Sequence, residues 1–554
     1  MRKLWENKWL WTGLYLVWLH LLVGFGFGII SNEEEVPLIY EAAGMHHYPN
    51  DPFVSLQLGQ FNVVWPYVYA LAPLARLVGF GGMPVLFFLL NLGCGLVLYL
   101  AFRQMLRRLV PDAPEWVAFA LSAWMVFMNR VMAWVPNIRS IVREFFDPEI
   151  LTMALLFPAL FAFVQQRHRR GVLLLALATI VHPLYPLNAL PMIVGLLAAE
   201  WLFAQADPRR QLKVAAGYVL AVLPWSALIW WVSRQTCCPE FNAVRIHEIV
   251  DWPEHLVIPS LRSHGKLPYI RYVEESWMLL AIGVLLFGLK RWHRLLAEPT
   301  ALWRRSFVHP FGRTLWFGLL GFGYLLAVSA VASAAHIDLL VALTPWRMVV
   351  VLLGFTALVL WAGLWRGFRS VASLPPQKWW QVAGTFTLVL LFVMAPLHKE
   401  FFRNRVLFEF FYPEERTQVI DWIRTHTKDT DGLLNYSDIG VRTLCLRPSF
   451  FDARTIPTFS NGQIDWYLRR LVYFDIPDHI DPHDYEAVAA AQYDPRLPID
   501  LRRVAARMPA WVTYAIVTKN EAMFPRTLLT EGMEVVFSTP HYQVIRLRKT
   551  DTAE

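Results

Sequence analysis

WLWTGLYLVWLHLLVGFGFGII, residues 9–30, carries no Asp, Glu, Lys or Arg and gives way at once to SNEEEVPLIYEAAGMHHYPNDPF, residues 31–53. An apolar run of that length matches the ~30 Å hydrocarbon core of a bilayer. In lipid such a run must be helical, because no water is present to satisfy its backbone. It is too long for a signal-peptide core and lacks a small-residue cleavage site, so it reads as an uncleaved signal anchor. The second stretch is its opposite: Glu33, Glu34, Glu35, Glu41 and Asp51 stand beside His46 and His47, with no Lys or Arg.

The pattern of the first run recurs. The chain has 554 residues, 56% of them hydrophobic, with 25 Trp and a mean hydropathy of +0.38, well above that of a soluble globular protein. Eleven spans are expected, at roughly 9–30, 82–102, 115–135, 148–166, 171–183, 185–204, 214–233, 276–290, 315–334, 346–365 and 379–397. The Lys/Arg clusters at Arg2/Lys3/Lys8, Arg103/Arg107/Arg108, Arg167/Arg169/Arg170, Arg209/Arg210/Lys213, Lys290 to Arg313 and Arg366/Arg369/Lys378 then fall in loops on one side. The positive-inside rule makes that side the cytoplasm. The amino terminus is inside and the carboxyl terminus outside.

Residues 56–80, LQLGQFNVVWPYVYALAPLARLVGF, are apolar enough to span. Counting them as a span would put the acidic loop and the Arg103 cluster on one side, so they are read as a helix pair along the outer interface. The fifth span is short and ends at VHPLYPLN, where Pro183 and Pro186 are expected to break it near the outer surface. The large outer pieces are loop 31–81, loop 234–275 and residues 398–554. The division is thus a membrane domain, 1–397, and an extracytoplasmic domain, 398–554.

The net charge of +8 belongs to the membrane part. Residues 399–554 hold 20 Lys+Arg against 22 Asp+Glu, and the rest hold 31 against 21. The basic excess sets orientation, and nucleic acid need not be invoked. Of the cysteines, Cys94 lies in an apolar run; Cys445 is in the tail, where a disulfide to Cys237 or Cys238 suits the outer compartment.

In the tail, PEERTQVIDWIRTHT has acids at its start and Arg424 and His426 near its end, as a helix dipole favours. NGQIDWYLRRLVYF and LRRVAARM read as helices, and GLLNY, PSFFD, WVTYAIVTK, MEVVFST and HYQVIRLRK as short strands. The expectation is a small α/β accessory domain. No dinucleotide fingerprint, P-loop or zinc spacing occurs, and no G-x-S-x-G, H-E-x-x-H or haem or iron–sulfur spacing. Serine-triad hydrolysis and redox chemistry are unsupported.

The acids of 31–53 fit two readings. One is a solvated acidic loop. The other is a pocket in which Glu33, Glu34, Glu35 or Asp51 serves as a general base, or in which Glu33, Glu35 and Asp51 hold a divalent cation. Asp51 lies in the proline-flanked turn YPNDPF, which would fix a carboxylate. An anionic substrate needs cations. Outer arginines occur at Arg139 and Arg143, through loop 234–275, and at Arg347 in LTPWR. Arginine grips phosphate oxygens bidentately, although one at a lipid boundary also snorkels. His182 in VHPLYP and His255 in DWPEHLVIPS complete the candidates, and either also fits a capping role.

This plan resembles the GT-C glycosyltransferases: an acidic first outer loop with interfacial helices, about eleven spans, an outer arginine heading a late span and an outer soluble tail. EEEVPLIYEAAGMHHYPNDPFV, WPEHLVIPS and VRTLCLRPSFFDARTIPTFSNGQIDWYLRR resemble an uncharacterised bacterial branch that is similar to GT-C enzymes along most of the chain. The resemblance implies a bacterial inner-membrane enzyme that moves a sugar from a polyprenyl-phosphate donor to a glycan, lipid or protein acceptor. It implies a first-loop acid as catalytic residue, here Glu33, Glu34 or Glu35 with Asp51 as second acid. It implies phosphate binding by Arg347, with Arg143 and His255 as weaker matches. The family's D-x-D is absent and Glu33–Glu35 has the E-x-E form; the candidate cofactor is Mg or Mn. The competing reading is a non-catalytic scaffold or lipid-glycan carrier with the same fold; no internal repeat points to a transporter.

Overall fold

The computed structural model describes residues 6–23, 25–28, 32–132, 146–204, 206–233, 240–243, 246, 309–335, 348–371 and 414–547, the last without 438, 453, 454, 456, 458, 459 and 520–525. The described chain is mostly helical, with a sheet near its carboxyl end. It divides into two compact units, each discontinuous in sequence. One comprises Met1–Phe25, Phe88–Trp225 and Ser260–Phe408; the other comprises Gly26–Phe87, Ser226–Pro259 and Glu409–Glu554. The first outer loop therefore shares a unit with the tail.

In the first unit, helix Lys8–Val23 packs on Glu115–Met132, and Pro148–Val164 on His168–Val181. Pro310–Ala335 packs on both Leu184–Ala204 and Val349–Val371. Among the described residues three helices are long and apolar enough to cross a bilayer: Trp65–Leu109, Leu184–Phe203 and Pro208–Val232. The expected spans 276–290 and 379–397 lie outside the described residues.

The two prolines expected to break the fifth span behave differently. Helix His168–Val181 ends at His182, whose N–H donates to the Ala178 carbonyl at 2.9 Å, and a new helix starts at Leu184. Pro183 sits in that break. Pro186 does not interrupt the chain: it lies in the first turn of Leu184–Ala204, where a missing N–H costs nothing. Helix Pro52–Gly59 and the start of Trp65–Leu109 occupy the stretch read as a helix pair. The longer run breaks at Gly79, with φ 67° and ψ 176°, a conformation only glycine adopts readily.

The tail carries a four-stranded mixed sheet. Its strands are β1 (Gly432–Tyr436), β3 (Val512–Thr518), β5 (Glu534–Ser538) and β6 (Tyr542–Arg546), in the order β1-β3-β6-β5. β1 runs parallel to β3, while β3–β6 and β6–β5 are antiparallel. Short β2 (Ile499–Asp500) and β4 (Leu528–Leu529) pair separately. Alternation along the strands builds two cores. Leu434, Ala515 and Ile545 pack with residues of helices Ser460–Tyr473, Tyr485–Gln492 and Leu501–Arg507. Leu433, Ile516 and Val544 pack with helix Glu414–His426 and with Val441, Leu444 and Cys445. Successive residues point to opposite faces, so Leu433 and Leu434 serve different cores.

PSFFD, read as a strand, is not one. It makes a single bridge, Leu433 with Ser449, in which Phe450 N–H donates to the Leu433 carbonyl at 3.0 Å. Pro448 has no N–H to extend the ladder, and the Ser449 N–H, on the side away from β1, donates to a carboxylate.

Candidate functional site

Most of the first-loop acids sit where a helix begins. Glu33, Glu34 and Glu35 form the first turn of helix Asn32–Ala42, where unsatisfied N–H groups and the helix dipole favour negative charge. Asp51 is the N-cap of Pro52–Gly59: its Oδ1 accepts from the Phe53 and Val54 N–H groups, each at 3.0 Å. Glu41 orders the turn between them, accepting from Tyr48 N–H at 2.8 Å, with His47 Nδ1 at 2.6 Å. His46 is half-buried, and burial lowers its pKa.

Their remaining partners come from the tail. Residues Val441–Cys445 form one π-helical turn. The Arg442 and Thr443 N–H groups donate to Glu33 Oε2 and Oε1, both at 2.9 Å, so one carboxylate closes the start of that turn. Thr443 Oγ1 donates to the Asn32 carbonyl at 2.9 Å. The Arg442 side chain goes to the other acid: Nε donates to Asp51 Oδ2 at 2.7 Å, and Ser449 N–H reaches the same oxygen at 2.8 Å. Arg442 Nη1 donates to Thr455 Oγ1 at 3.1 Å and Nη2 to the Ser449 carbonyl at 3.3 Å. Its guanidinium lies over the Phe53 ring. Tyr48 OH donates to the Arg442 carbonyl at 2.9 Å.

This cluster is dry. Asp51 is 0%, Arg442 1% and Glu33 4% exposed. Burial pushes the Glu33 carboxyl up to about 7; nearby Asp452 raises it further, while Arg442 and the Thr443 hydrogen bonds pull it down. Burial disfavours the charged guanidinium of Arg442, but Asp51, Asp452 and Glu33 together hold its pKa above the usual value. The Cys445 thiol is free, buried and pushed up by burial; Cys237 and Cys238 lie outside the described residues. Gly440 permits the close approach, since a Cβ there would fall on Glu33 Oε1 and the Gly28 carbonyl oxygen.

The expected site residues thus separate. Glu33 and Asp51 are brought together through Arg442. Glu35 is buried and Glu34 half-buried. Arg143, His255 and Arg347 lie outside the described residues, as do Arg139 and the arginines of loop 234–275. His182, in the other unit, is half-buried with its ring 5.7 Å from that of Tyr185, whose OH donates to buried Glu149 at 3.0 Å. Among the described residues no group of three or more His, Cys, Asp or Glu is arranged to hold a metal. Glu33, Glu35 and Asp51 do not fit a cation site, because the oxygens of Glu33 and Asp51 already accept N–H donors, Arg442 Nε among them.

Arg442 and Glu149 were not among the sequence candidates. The signal for Arg442 is an arginine inside the apolar run VRTLCL, since a buried cation requires a carboxylate. Nothing in the run names which one.

No family model matches the chain, and no curated protein matches it. Among solved structures the chain is similar to the crystal structure of ArnT from Cupriavidus metallidurans bound to undecaprenyl phosphate, with 14% identity, 98% of each chain covered and a TM-score of 0.35.

Proposed function

We propose that this chain is a membrane glycosyltransferase of the GT-C kind, moving a sugar from a polyprenyl-phosphate donor to an extracytoplasmic glycan, lipid or protein acceptor. The observation that carries the reading is the acidic first turn of Asn32–Ala42, which follows the first apolar helix directly and has its start pinned by buried hydrogen bonds. A reaction that deprotonates a hydroxyl needs such a fixed carboxylate. Of Glu33, Glu34, Glu35 and Asp51, Glu34 keeps the most solvent contact and is the best candidate for the base; Asp51 and Glu33 hold the scaffold.

In this proposal the acceptor hydroxyl gives its proton to the carboxylate and its oxygen attacks the anomeric carbon in line. The bond from that carbon to the donor phosphate breaks, and the phosphate leaves with the electron pair. The configuration inverts. Arg347, Arg143, His255 and His182 are the proposed donors to the phosphate and sugar, because positive groups stabilise the charge that develops on the leaving oxygen. In the same proposal the protein lies in a bacterial inner membrane with its amino terminus inside.

The test is transfer from a labelled polyprenyl-phosphate sugar in membranes containing the protein. Glu34→Gln should abolish transfer at unchanged expression; full activity would remove Glu34 from the mechanism. A second reading, a non-catalytic scaffold or lipid-glycan carrier, is favoured by the saturation of Asp51, which accepts from Phe53, Val54, Ser449 and Arg442. Loss of the gene without any change in cell glycans or lipid carriers would favour it over transfer.

A further inference from the structure

We propose that Arg442 is a positioning residue for the transfer reaction: through Asp51 and Glu33 it fixes the starts of both first-loop helices, so that the tail is a working part of the acidic site and not a cover over it. This rests on the glycosyltransferase reading. Three observations carry it. The guanidinium and the backbone N–H of one residue reach the two acids that begin two different helices. The cluster is closed to water on both sides of the link. The turn that bears Arg442 is itself anchored, because Val441, Leu444 and Cys445 are packed in the core formed with Leu433, Ile516 and Val544 of the sheet.

The path is therefore continuous: sheet, turn 441–445, Arg442, Asp51 and Glu33, then the helix whose first turn carries Glu34. Each step is a packed contact or a hydrogen bond of 2.9 Å or less. Arg442 has no role in bond-making here. Its guanidinium fixes turn 441–445 against Asp51, Thr455 and Ser449, and the Arg442 and Thr443 N–H groups of that turn hold Glu33 at the start of the Asn32–Ala42 helix; misplacement of a reacting group by about 1 Å costs on the order of 100-fold in rate.

The experiment uses the full chain in lipid nanodiscs, with hydrogen exchange of individual amides and kinetics of sugar transfer. Arg442→Lys keeps the charge but loses the fork to Asp51, Thr455 and Ser449; Arg442→Gln removes the charge. Both should speed exchange at the Phe53, Val54 and Thr443 amides about tenfold or more, the size of a lost charged hydrogen bond. Protection in β3 and β6 should stay. kcat should fall about tenfold or more with KM for the acceptor within about twofold, as for a group that fixes geometry without binding substrate. The double variant Asp51→Asn with Arg442→Gln removes both buried charges, and slower exchange than in Arg442→Gln alone is expected.

Unchanged exchange at those amides, or a rise spread equally over β3 and β6, would overturn the proposal. So would a rise confined to the loop with normal kcat, which would leave Arg442 a purely structural group. Absence of transfer by the wild-type protein would defeat the glycosyltransferase reading and the catalytic half with it, while the exchange pattern alone would still decide whether Arg442 orders the loop.

Discussion

Two buried carboxylate clusters in this chain solve the same problem over very different distances in sequence. In the first unit Glu115, 3% exposed, receives Arg103 Nε at 2.6 Å, Arg103 Nη2 at 2.5 Å and Arg107 Nη2 at 2.6 Å. Its partners stand 12 and 8 residues away, at the end of the preceding helix. In the second unit Asp51 and Glu33 receive Arg442, 391 and 409 residues away. The near cluster is also wetter: the Arg107 side chain is 45% exposed, whereas Arg442 and Asp51 are 1% and 0%. A local ion pair trims a helix end. A distant, dry one joins two segments into a folding unit, and its loss is felt by both.

The sharpest way to break the comparison is to remove the dry cation. Arg442→Ala strips Asp51 of its counter-charge in a site closed to water, at an expected cost of about 3–5 kcal/mol. Thermal unfolding of the detergent-solubilised protein should show it, together with faster proteolysis within 26–87 and within 441–449. Normal melting would mean that the distant cluster is no more cooperative than the near one.

A pH scan tests Glu33 within that cluster. The Glu33 carboxyl is raised from its ordinary 4.5 to about 7, burial outweighing the donors around it. A raised acid favours the protonated form on folding, so this group's contribution is fully present below pH ~4.5 and is lost as pH climbs through ~7, by roughly 3 kcal/mol in all. Unfolding measured against pH should therefore show stability falling over that window, and Glu33→Gln should flatten the fall. A stability that rises through the same window would give Glu33 the opposite role.

The local signals were readable because their causes are local. The break at His182–Pro183, the helix of PEERTQVIDWIRTHT with acids first and Arg424 and His426 last, and the strands in GLLNY, WVTYAIVTK, MEVVFST and HYQVIRLRK depend on residues within a turn or a pleat of one another. Asp51 in YPNDPF is legible as a fixed carboxylate for the same reason: it caps the helix that Pro52 opens. What fixes it from the other side is not legible. VRTLCL gives no periodicity that announces a π-helical turn, and an arginine in an apolar run says only that some carboxylate waits elsewhere. PSFFD misled because its two aromatics suit a strand, yet Phe450 and Phe451 fall in one core and Pro448 has no N–H to carry the bridge further. The acidity of residues 31–53 was visible; its division into anchors and a more exposed Glu34 is set by donors from the tail.

Packing offers a smaller test of the same contrast. Gly440→Ala puts a methyl on Glu33 Oε1 and on the Gly28 carbonyl. Overpacking of this kind costs about 1–3 kcal/mol. It should lower the melting temperature less than Arg442→Ala does, and it should weaken when combined with Glu33→Ala, which vacates the space. Equal effects in the presence and absence of the Glu33 side chain would put the clash on the Gly28 carbonyl alone.

The smallest effect belongs to the near cluster. Arg107→Ala leaves Glu115 with both nitrogens of Arg103, so no buried charge is stranded. Half-exposed Arg107 is screened by water, and pairs of that kind contribute about 0–1 kcal/mol. The melting temperature should barely move, and Arg103→Ala, which removes the fork, should cost more than Arg107→Ala. If Arg107→Ala instead destabilised the protein as much as Arg442→Ala, sequence distance and dryness would not be what distinguishes the two clusters, and the link between the first loop and the tail would lose its special standing.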